Sequence, residues 1–204
     1  MIGIVDYGLG NIRAFENIYR RLGIAAAPVK TAAELAATER LILPGVGAFD
    51  WAMDCLTRAG MLDTLHRRVL EDRVPILGVC VGMQIMADGS DEGSAKGLGW
   101  IPGRVERFDG KWFNQRTHLP HMGWNDIAPV AGEPLFAGIE EPQYYFLHSY
   151  FFRPAAEEHA IARSQYGIDF ASAVRRDNIW ATQFHPEKSH DWGVALLKNF
   201  AGIA

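Results

Sequence analysis

Two short stretches of this 204-residue chain combine the residue types of nucleophilic catalysis. The first is Gly78-Val79-Cys80-Val81-Gly82, where a glycine stands two residues before and two residues after a cysteine. Glycines at those positions let a strand turn sharply into a helix, so that the side chain between them projects into a cleft. A cysteine at a helix N-terminus is also favoured as the thiolate by the helix dipole. The pattern predicts a nucleophilic Cys80; the alternative is a small buried cysteine in a glycine-rich turn.

The second stretch is His185-Pro186-Glu187, where a histidine and a carboxylate are two residues apart. In extended backbone such residues project to the same side, and the proline between them restricts φ. A carboxylate that holds one imidazole nitrogen leaves the other nitrogen as a proton acceptor. This is the base and orienting acid of a nucleophilic triad. The alternative is a fortuitous pair in a surface turn.

Two glycine-rich turns could bring backbone N–H groups close to a ligand. Pro44-Gly45-Val46-Gly47 follows an apolar run, and its glycines allow a close approach of the backbone, although from this loop alone a plain tight turn is the favoured interpretation. Gly8-Leu9-Gly10 follows the first apolar run, but Arg13 stands where the dinucleotide-binding fingerprint has its third glycine. A nucleotide site is therefore not favoured.

Apolar runs alternate with amphipathic segments along the first half of the chain. The runs predict strands at residues 2–5, 24–29, 40–43 and 74–79. Helical spacing predicts helices at residues 12–22, 31–38, 51–58 and 61–73, from residue 83 onward and at 192–200. Thr31 and Glu34 have the spacing of a capping box, and Asp50 is predicted as an N-cap.

The second half of the chain has shorter alternating segments with Pro and Gly between them. They predict additional, mostly antiparallel strands within residues 104–108, 112–130, 143–152, 164–174 and 179–184. The whole pattern predicts an α/β fold over residues 1–204 as a single domain. Its core would be an open, mostly parallel twisted sheet with helices on both faces, plus antiparallel additions in the second half. Functional sites of such sheets lie beyond the carboxyl ends of the strands.

Composition excludes several other classes of function. The net charge of −4 gives no basic field for nucleic acid or anionic membrane, and 49% apolar with 22% charged residues is typical of globular proteins. Cys55 and Cys80 are too few for a disulfide framework, and neither belongs to a cluster with metal-ligand spacing, so we expect no metal and no cofactor. Without a visible secretory signal, we expect a cytoplasmic protein.

Taken together, the motifs closely resemble those of class I glutamine amidotransferases, and within that family the glutaminase subunits of imidazole glycerol phosphate synthases. The resemblance extends over essentially the whole chain. It rests on residues 6–11, 43–47, 78–84, 120–125, 148–150 and 183–189. It implies that Cys80 attacks the side-chain amide carbon of glutamine, that His185 transfers the protons and that Glu187 orients the imidazole. The thioester formed in this way would then be hydrolysed to glutamate.

The same resemblance implies further site residues. Oxyanion donors are expected from the N–H of Val81 and from the loop Gly45-Val46-Gly47. Gln84 lies four residues after the cysteine, one helical turn on, and is expected to contact the substrate. The segment His148-Ser149-Tyr150 is expected to hold the α-amino and carboxylate ends of the substrate, although for His148 a packing role is almost equally well supported.

The resemblance also implies a heterodimer with a (β/α)₈-barrel synthase subunit that receives the ammonia. The residues expected to face that partner are Asn11, Met122, Trp124, Asn125 and Lys188. Residues 97–103 and 190–193 are similar to paralogues that supply ammonia for amidating a cell-surface (lipopolysaccharide) sugar, which is the alternative pathway. Further alternatives are a cysteine hydrolase or peptidase built on the same elbow and a catalytically silent regulatory subunit, against which the complete set of Cys80, His185 and Glu187 argues.

Overall fold

The computed structural model describes residues 1–114 and 118–203. Residues 115–117, which fall within the predicted alternating segment 112–130, and residue 204 lie outside the described part. The strands of the described part are β1 (Ile2–Val5), β2 (Ala26–Val29), β3 (Arg40–Gly45), β4 (Ile76–Cys80), β5 (Gly89–Ser90), β6 (Gly103–Arg107), β7 (His121–Asp126), β8 (Ala128–Pro129), β9 (Gln143–His148), β10 (Tyr150–Pro154), β11 (Ala160–Tyr166), β12 (Ile168–Arg176) and β13 (Ile179–Thr182).

A twisted sheet with the strand order β2-β1-β3-β4-β13-β12-β11-β8 forms the centre of the molecule. The neighbours from β2 to β13 pair in parallel, and β12, β11 and β8 continue the sheet in antiparallel pairing. The predicted α/β fold with a mostly parallel sheet and antiparallel additions is confirmed. Two of the predicted additions do not join this sheet: β7 pairs with β9 as a separate ribbon, and β10, β6 and β5 form a third sheet.

The helices of the described part are α1 (Ile12–Arg21), α2 (Ala32–Ala36), α3 (Phe49–Arg58), α4 (Leu62–His66), α5 (Val81–Gln84) and α6 (His190–Gly202). The predicted capping box of α2 is formed: the N–H of Glu34 donates to Thr31 Oγ1 at 3.2 Å, and the N–H of Thr31 donates to Glu34 Oε2 at 3.1 Å. The predicted helix at 61–73 is wrong in its second half, because α4 passes into a π-helical turn, Arg67–Glu71.

Asp50 does not cap α3, contrary to the prediction. Ala48 occupies the N-cap position, and Asp50 lies in the first turn of the helix. Its carboxylate instead accepts the backbone N–H groups of Ser94, at 2.9 Å, and Ala95, at 3.0 Å. These two bonds fasten a distant loop to the start of α3, and they lower the pKa of Asp50 by stabilising its charged form.

The three strands beneath the predicted site are almost completely buried. Every residue of β4 and of β13 is buried, as expected for parallel strands covered on both faces. The register places Gly45 at the end of β3 beside Cys80 at the end of β4. The carboxyl ends of β3, β4 and β13 therefore meet at one edge, where the glycine-rich loop, the cysteine and the His185 segment emerge.

Candidate active site

Cys80 ends β4 in a strained backbone conformation, with φ +56° and ψ −112°, and α5 begins at the next residue. A non-glycine residue at positive φ is disfavoured by about 1–3 kcal/mol and persists only where the surroundings enforce it. Tight packing supplies that enforcement. A Cβ added to Gly82 would lie 1.9 Å from the carbonyl oxygen of Leu43, and one added to Gly45 would lie 2.3 Å from the nitrogen of Gly82.

The loop after β3 is anchored by a hydrogen bond at its start, and its later residues are exposed. The hydroxyl of Tyr7 donates to the carbonyl of Pro44 at 2.8 Å, which anchors the start of the loop. Val46 is 40% exposed, and Gly47 has φ +87° with open space where a side chain would be. Gly45-Val46-Gly47 thus lies at the same edge of the sheet as Cys80, with open space beside Gly47.

His185 and Glu187 form a buried pair, with His185 Nδ1 at 2.9 Å from Glu187 Oε1 and both side chains at most 3% exposed. The expectation of extended backbone holds at His185 only, because Pro186–Lys188 is a single 3₁₀ turn that folds the carboxylate back onto the ring. Cys80 lies near enough to the ring to influence its pKa. Since Nδ1 is committed to the carboxylate, Nε2 is the nitrogen left to face the sulfur.

The charge balance around this histidine favours the imidazolium. Burial opposes a charged ring, but hydrogen bonds and negative charge from Cys80 and Glu187 outweigh it and raise the pKa of His185 to about 10. A protonated imidazole beside a cysteine can stabilise a thiolate and can later act as an acid.

A cavity of about 290 Å³ opens directly above the sulfur. Of the predicted substrate and oxyanion residues, Gly45 lies beside the cysteine without lining this cavity, and the others line it. The described lining residues are Val46, Gly47, Cys80, Val81, Gln84, Glu92, Pro120, Leu147, His148, Ser149, Tyr150, His185 and Lys188. The sequence analysis did not identify Glu92 or Leu147, and it placed Pro120 only in a motif that resembles partner-facing segments. Glu92 and Leu147 have no local signature, because only the tertiary fold brings the loop after β5 and the end of β9 to the cavity.

Gln84 has its amide orientation fixed by two acceptors. Its Nε2 donates to Gln183 Oε1 at 3.0 Å and to the carbonyl of Tyr150 at 3.3 Å. Both amide hydrogens are thereby committed inside the protein, and Oε1 is the atom able to accept a hydrogen bond from a ligand in the cavity. Gln183 in turn directs its Nε2 toward Cys80 Sγ at 3.8 Å.

Both ring nitrogens of His148 are engaged within the protein, which separates this residue from His185. Nδ1 lies 2.7 Å from the carbonyl of Tyr150 and must donate, so Nε2 is the acceptor for His121 Nδ1 at 2.9 Å. Burial is the main cause that lowers the pKa of His148 to about 3 and of His121 to about 4. This neutral pair packs between β7 and β9 and offers no free nitrogen to act as a base.

The acidic side chain that lines the cavity comes from a loop with no catalytic signature in the sequence. Glu92 is the one carboxylate among the described lining residues, and its Oε2 accepts the N–H of Phe49 at 2.8 Å. The N–H of Phe49 belongs to the first turn of α3, where a helix leaves donors unpaired. The carboxylate is thus held in place while its other oxygen remains available to a ligand.

The residues predicted to face a partner are placed in different ways. Met122 and Trp124, on β7, are 65% and 45% exposed, and Asn11 is exposed just beyond the end of β1. Asn125 is half-buried and donates to the carbonyl of Gln165 at 3.0 Å. Lys188 is exposed, with its ammonium group 5.8 Å from the centre of the Tyr145 ring, and it lines the cavity.

Comparison with known proteins identifies the family. The family model for glutamine amidotransferase class-I matches residues 4–203. The chain belongs to the class I glutamine amidotransferases. It is 52% identical, over the full length of both chains, to a protein named imidazole glycerol phosphate synthase subunit HisH from Bdellovibrio bacteriovorus. It is 47% identical, again over both full lengths, to a protein of the same name from Leptospira interrogans.

Solved structures agree on the fold. A crystal structure of a glutamine amidotransferase aligns with a TM-score of 0.76 at 23% identity, covering 99% of each chain. Within residues 1–114 and 118–203, no helix is long and apolar enough to cross a membrane. Across the same residues, His, Cys, Asp and Glu side chains form no group of three or more that could hold a metal ion.

Proposed function

We infer that this chain is the glutaminase subunit of an imidazole glycerol phosphate synthase, hydrolysing glutamine and supplying ammonia to a synthase subunit. The observation that carries the inference is the Cys80–His185–Glu187 arrangement at the cavity. The full-length similarity to two relatives that bear that subunit name supports the pathway. Amidation of a surface sugar is not favoured, because the same relatives, at 52% and 47% identity, carry the imidazole glycerol phosphate synthase name.

The reaction begins with attack of the Cys80 thiolate on the side-chain amide carbon of glutamine. A carbon–sulfur bond forms and the carbonyl electron pair moves to oxygen, which gives a tetrahedral oxyanion. The His185 imidazolium then gives its proton to the amide nitrogen, and ammonia leaves as the carbon–nitrogen bond breaks. Water attacks the resulting thioester, His185 takes its proton, and glutamate is released while the thiolate is restored. Glu187 stabilises each imidazolium state.

Two backbone donors are proposed for the oxyanion. Val81 is the first residue of α5, and its N–H points out of the helix start without an intrahelical acceptor. The second donor comes from Gly45-Val46-Gly47, which borders Cys80 through the paired end of β3. A donor of this kind contributes about 3 kcal/mol of transition-state stabilisation.

The polar lining of the cavity matches the two ends of glutamine. Glu92 supplies a carboxylate suited to the α-ammonium group, and the Ser149 and Tyr150 segment lies on the same cavity. At the reacting end, Gln84 Oε1 can accept an N–H from the substrate carboxamide. Glutamate has no such N–H, so this contact favours substrate over product.

The exposed ribbon is proposed as the docking surface for a (β/α)₈-barrel partner. Met122 pairs across the ribbon with Leu147, which is 38% exposed and also lines the cavity. With Trp124 these side chains form an exposed apolar patch at the cavity mouth, and such patches mark interaction sites. A partner seated there would receive ammonia before it reaches bulk water. Since unpartnered hydrolysis wastes glutamine, we expect weak glutaminase activity in the isolated subunit.

The test is glutamine hydrolysis by the chain alone and with the barrel subunit and its acceptor ligand. We expect turnover to rise when partner and ligand are present. Trp124→Ala should weaken partner binding by about 30-fold, as for an aromatic residue at the centre of an interface. Leu70→Ala is the matched control, because Leu70 is 44% exposed but lies before β4, at the opposite edge of the sheet. Equal turnover with and without the partner would contradict the proposal.

A further inference from the structure

We propose that Gln183 is a further catalytic residue, whose side-chain amide donates a hydrogen bond to Cys80 Sγ and stabilises negative charge on the sulfur. The inference deepens the proposed glutaminase chemistry and rests on it. Gln183 directly follows β13, is fully buried, and places Nε2 3.8 Å from Sγ. It lies two residues before the proposed base, so both groups reach the sulfur from the same segment.

The direction of the donor is fixed by the neighbouring amide. Gln183 Oε1 accepts the N–H of Gln84 at 3.0 Å, so the opposite end of the Gln183 amide, which carries its hydrogens, faces the sulfur. A flipped Gln183 would bring two amide NH₂ groups together and direct a carbonyl oxygen at a thiolate. The backbone N–H of Gln183 donates to the carbonyl of Ser172 at 2.9 Å, which holds the residue in register at the strand end.

An N–H donor acts on two steps of the reaction. In the free enzyme it stabilises the thiolate and raises its population at neutral pH, and the accompanying loss of intrinsic nucleophilicity cancels only about half of that gain on a logarithmic scale. When the thioester breaks, the carbon–sulfur electron pair returns to Sγ while the water proton goes to His185. A donor already aimed at the sulfur makes the thiolate a better leaving group.

The test measures alkylation of Cys80 by iodoacetamide against pH, with peptide mass mapping to separate Cys80 from Cys55. Gln183→Met keeps the length of the side chain and removes the donor. We expect alkylation at pH 7 to slow by about threefold to tenfold. Loss of one hydrogen bond to a charged group changes the thiolate population by about 10- to 100-fold, and the gain in nucleophilicity offsets about half of that change on a logarithmic scale. At high pH, where the thiolate forms without help in both proteins, the rate of the variant should equal or exceed that of the unmodified protein, because a thiolate without the donor is more nucleophilic.

A second measurement separates this role from a packing role. With glutamine present, Gln183→Met should accumulate the covalent thioester, visible in the intact mass as the added glutamyl group, because departure of the thiolate is slowed. Ser172→Ala is the matched control. Ser172 is fully buried on β12, and its hydroxyl lacks a hydrogen-bond partner among the described residues, so its removal should change neither the alkylation profile nor the acyl-enzyme level.

Gln183→Glu keeps the proposal testable if the methionine variant does not fold. A glutamate can still accept from Gln84, but at neutral and higher pH it presents an oxygen or a charge to the sulfur, so alkylation should slow further than with methionine. A pH profile that superimposes on that of the unmodified protein in either variant would overturn the proposal. Alkylation needs no glutamine turnover, so a failure of the proposed glutaminase function would appear separately, as absent hydrolysis by the unmodified protein.

Discussion

His185 and His148 line the same cavity and are both buried, yet their environments drive them to opposite protonation states. His185 meets a carboxylate and a cysteine, and its pKa rises to about 10. His148 meets a backbone carbonyl and a second imidazole, that of His121, and its pKa falls to about 3. Burial disfavours the charged ring in both places, so the sign of the shift is decided by whether an anion stands beside it.

This comparison also explains why a histidine at an active-site wall need not be a base. At His185 one nitrogen is held by Glu187 and the other is directed to Cys80. At His148 the two nitrogens are consumed by Tyr150 and His121, and Asn125 Nδ2 extends the chain to His121 Nε2 at 3.3 Å. The two residues are of the same type and line the same cavity. They differ in whether a ring nitrogen remains available to a reacting group.

The strongest test of this difference between His185 and His148 is the same substitution at both positions. His185→Gln should lower glutaminase kcat by roughly a thousandfold, because general acid–base transfer is lost. His148→Gln should lower it by less than about tenfold, since glutamine can both donate and accept in that position. Steady-state assays with the partner present make the measurement. Equal losses would show that the two imidazoles share the proton transfer.

A smaller effect is expected from removing only the anion. Glu187→Gln should lower kcat by about a hundredfold, because a neutral amide neither stabilises the imidazolium nor fixes its tautomer. The pKa of His185 should also fall in this variant, which an NMR titration of the ring can follow. Asp191→Asn, the same change at an exposed neighbouring carboxylate, is the control. An unchanged titration of His185 in Glu187→Gln would place the origin of its high pKa elsewhere.

The smallest effect concerns stability in acid. His121 and His148 stay neutral in the folded protein below their ordinary pKa of 6.5, whereas the unfolded chain binds protons there. The free energy of unfolding should therefore fall as pH drops from about 6.5 to about 4, by about 1.4 kcal/mol per pH unit for each histidine. The raised pKa of His185 acts oppositely: its stabilisation is present below pH 6.5 and is lost as pH rises toward 10.

Urea unfolding between pH 4 and pH 8 measures this slope. His148→Gln should flatten the acid side of the curve, because one proton-binding difference disappears. His190→Gln is the control, since that ring is exposed and is solvated in both states. A slope identical in all three proteins would mean that the buried pair is not the origin of acid lability.

The sequence predicted those parts of the molecule that depend on local patterns. The apolar run ending in Gly78-Val79-Cys80-Val81-Gly82 predicted the strand and the sharp turn, and close packing of Gly82 against Leu43 of β3 shows why the turn needs a glycine there. The helix predicted from residue 83 onward is wrong in its bounds, because α5 begins at Val81 and ends at Gln84. The capping pair Thr31 and Glu34 was predicted because its partners are three residues apart. The fold class of the parallel half follows from the alternation of strands and helices, whereas the order of its strands was not predicted.

What the sequence did not predict depends on register between distant segments. His121 meets His148 because these residues pair across β7 and β9, and no local pattern specifies that alignment. Asp50 was assigned to its own helix by proximity, yet the loop amides of residues 94 and 95 offered two donors at once. The π-helical turn after α4 has a helical apolar spacing, so it could not be distinguished from an α-helix by periodicity.

The hydrogen bonds between α3 and the loop after β5 have a consequence for substrate binding. Asp50 holds that loop through two amides, and Glu92 of the loop holds the first turn of α3 through Phe49. Because α3 starts two residues after Gly47, the carboxylate offered to the substrate's ammonium and the strip of backbone offered to the oxyanion form one mechanical unit. A displacement of Glu92 would also displace the backbone after β3, and the reverse. Binding of the substrate's ammonium group and the position of the oxyanion donors are therefore coupled.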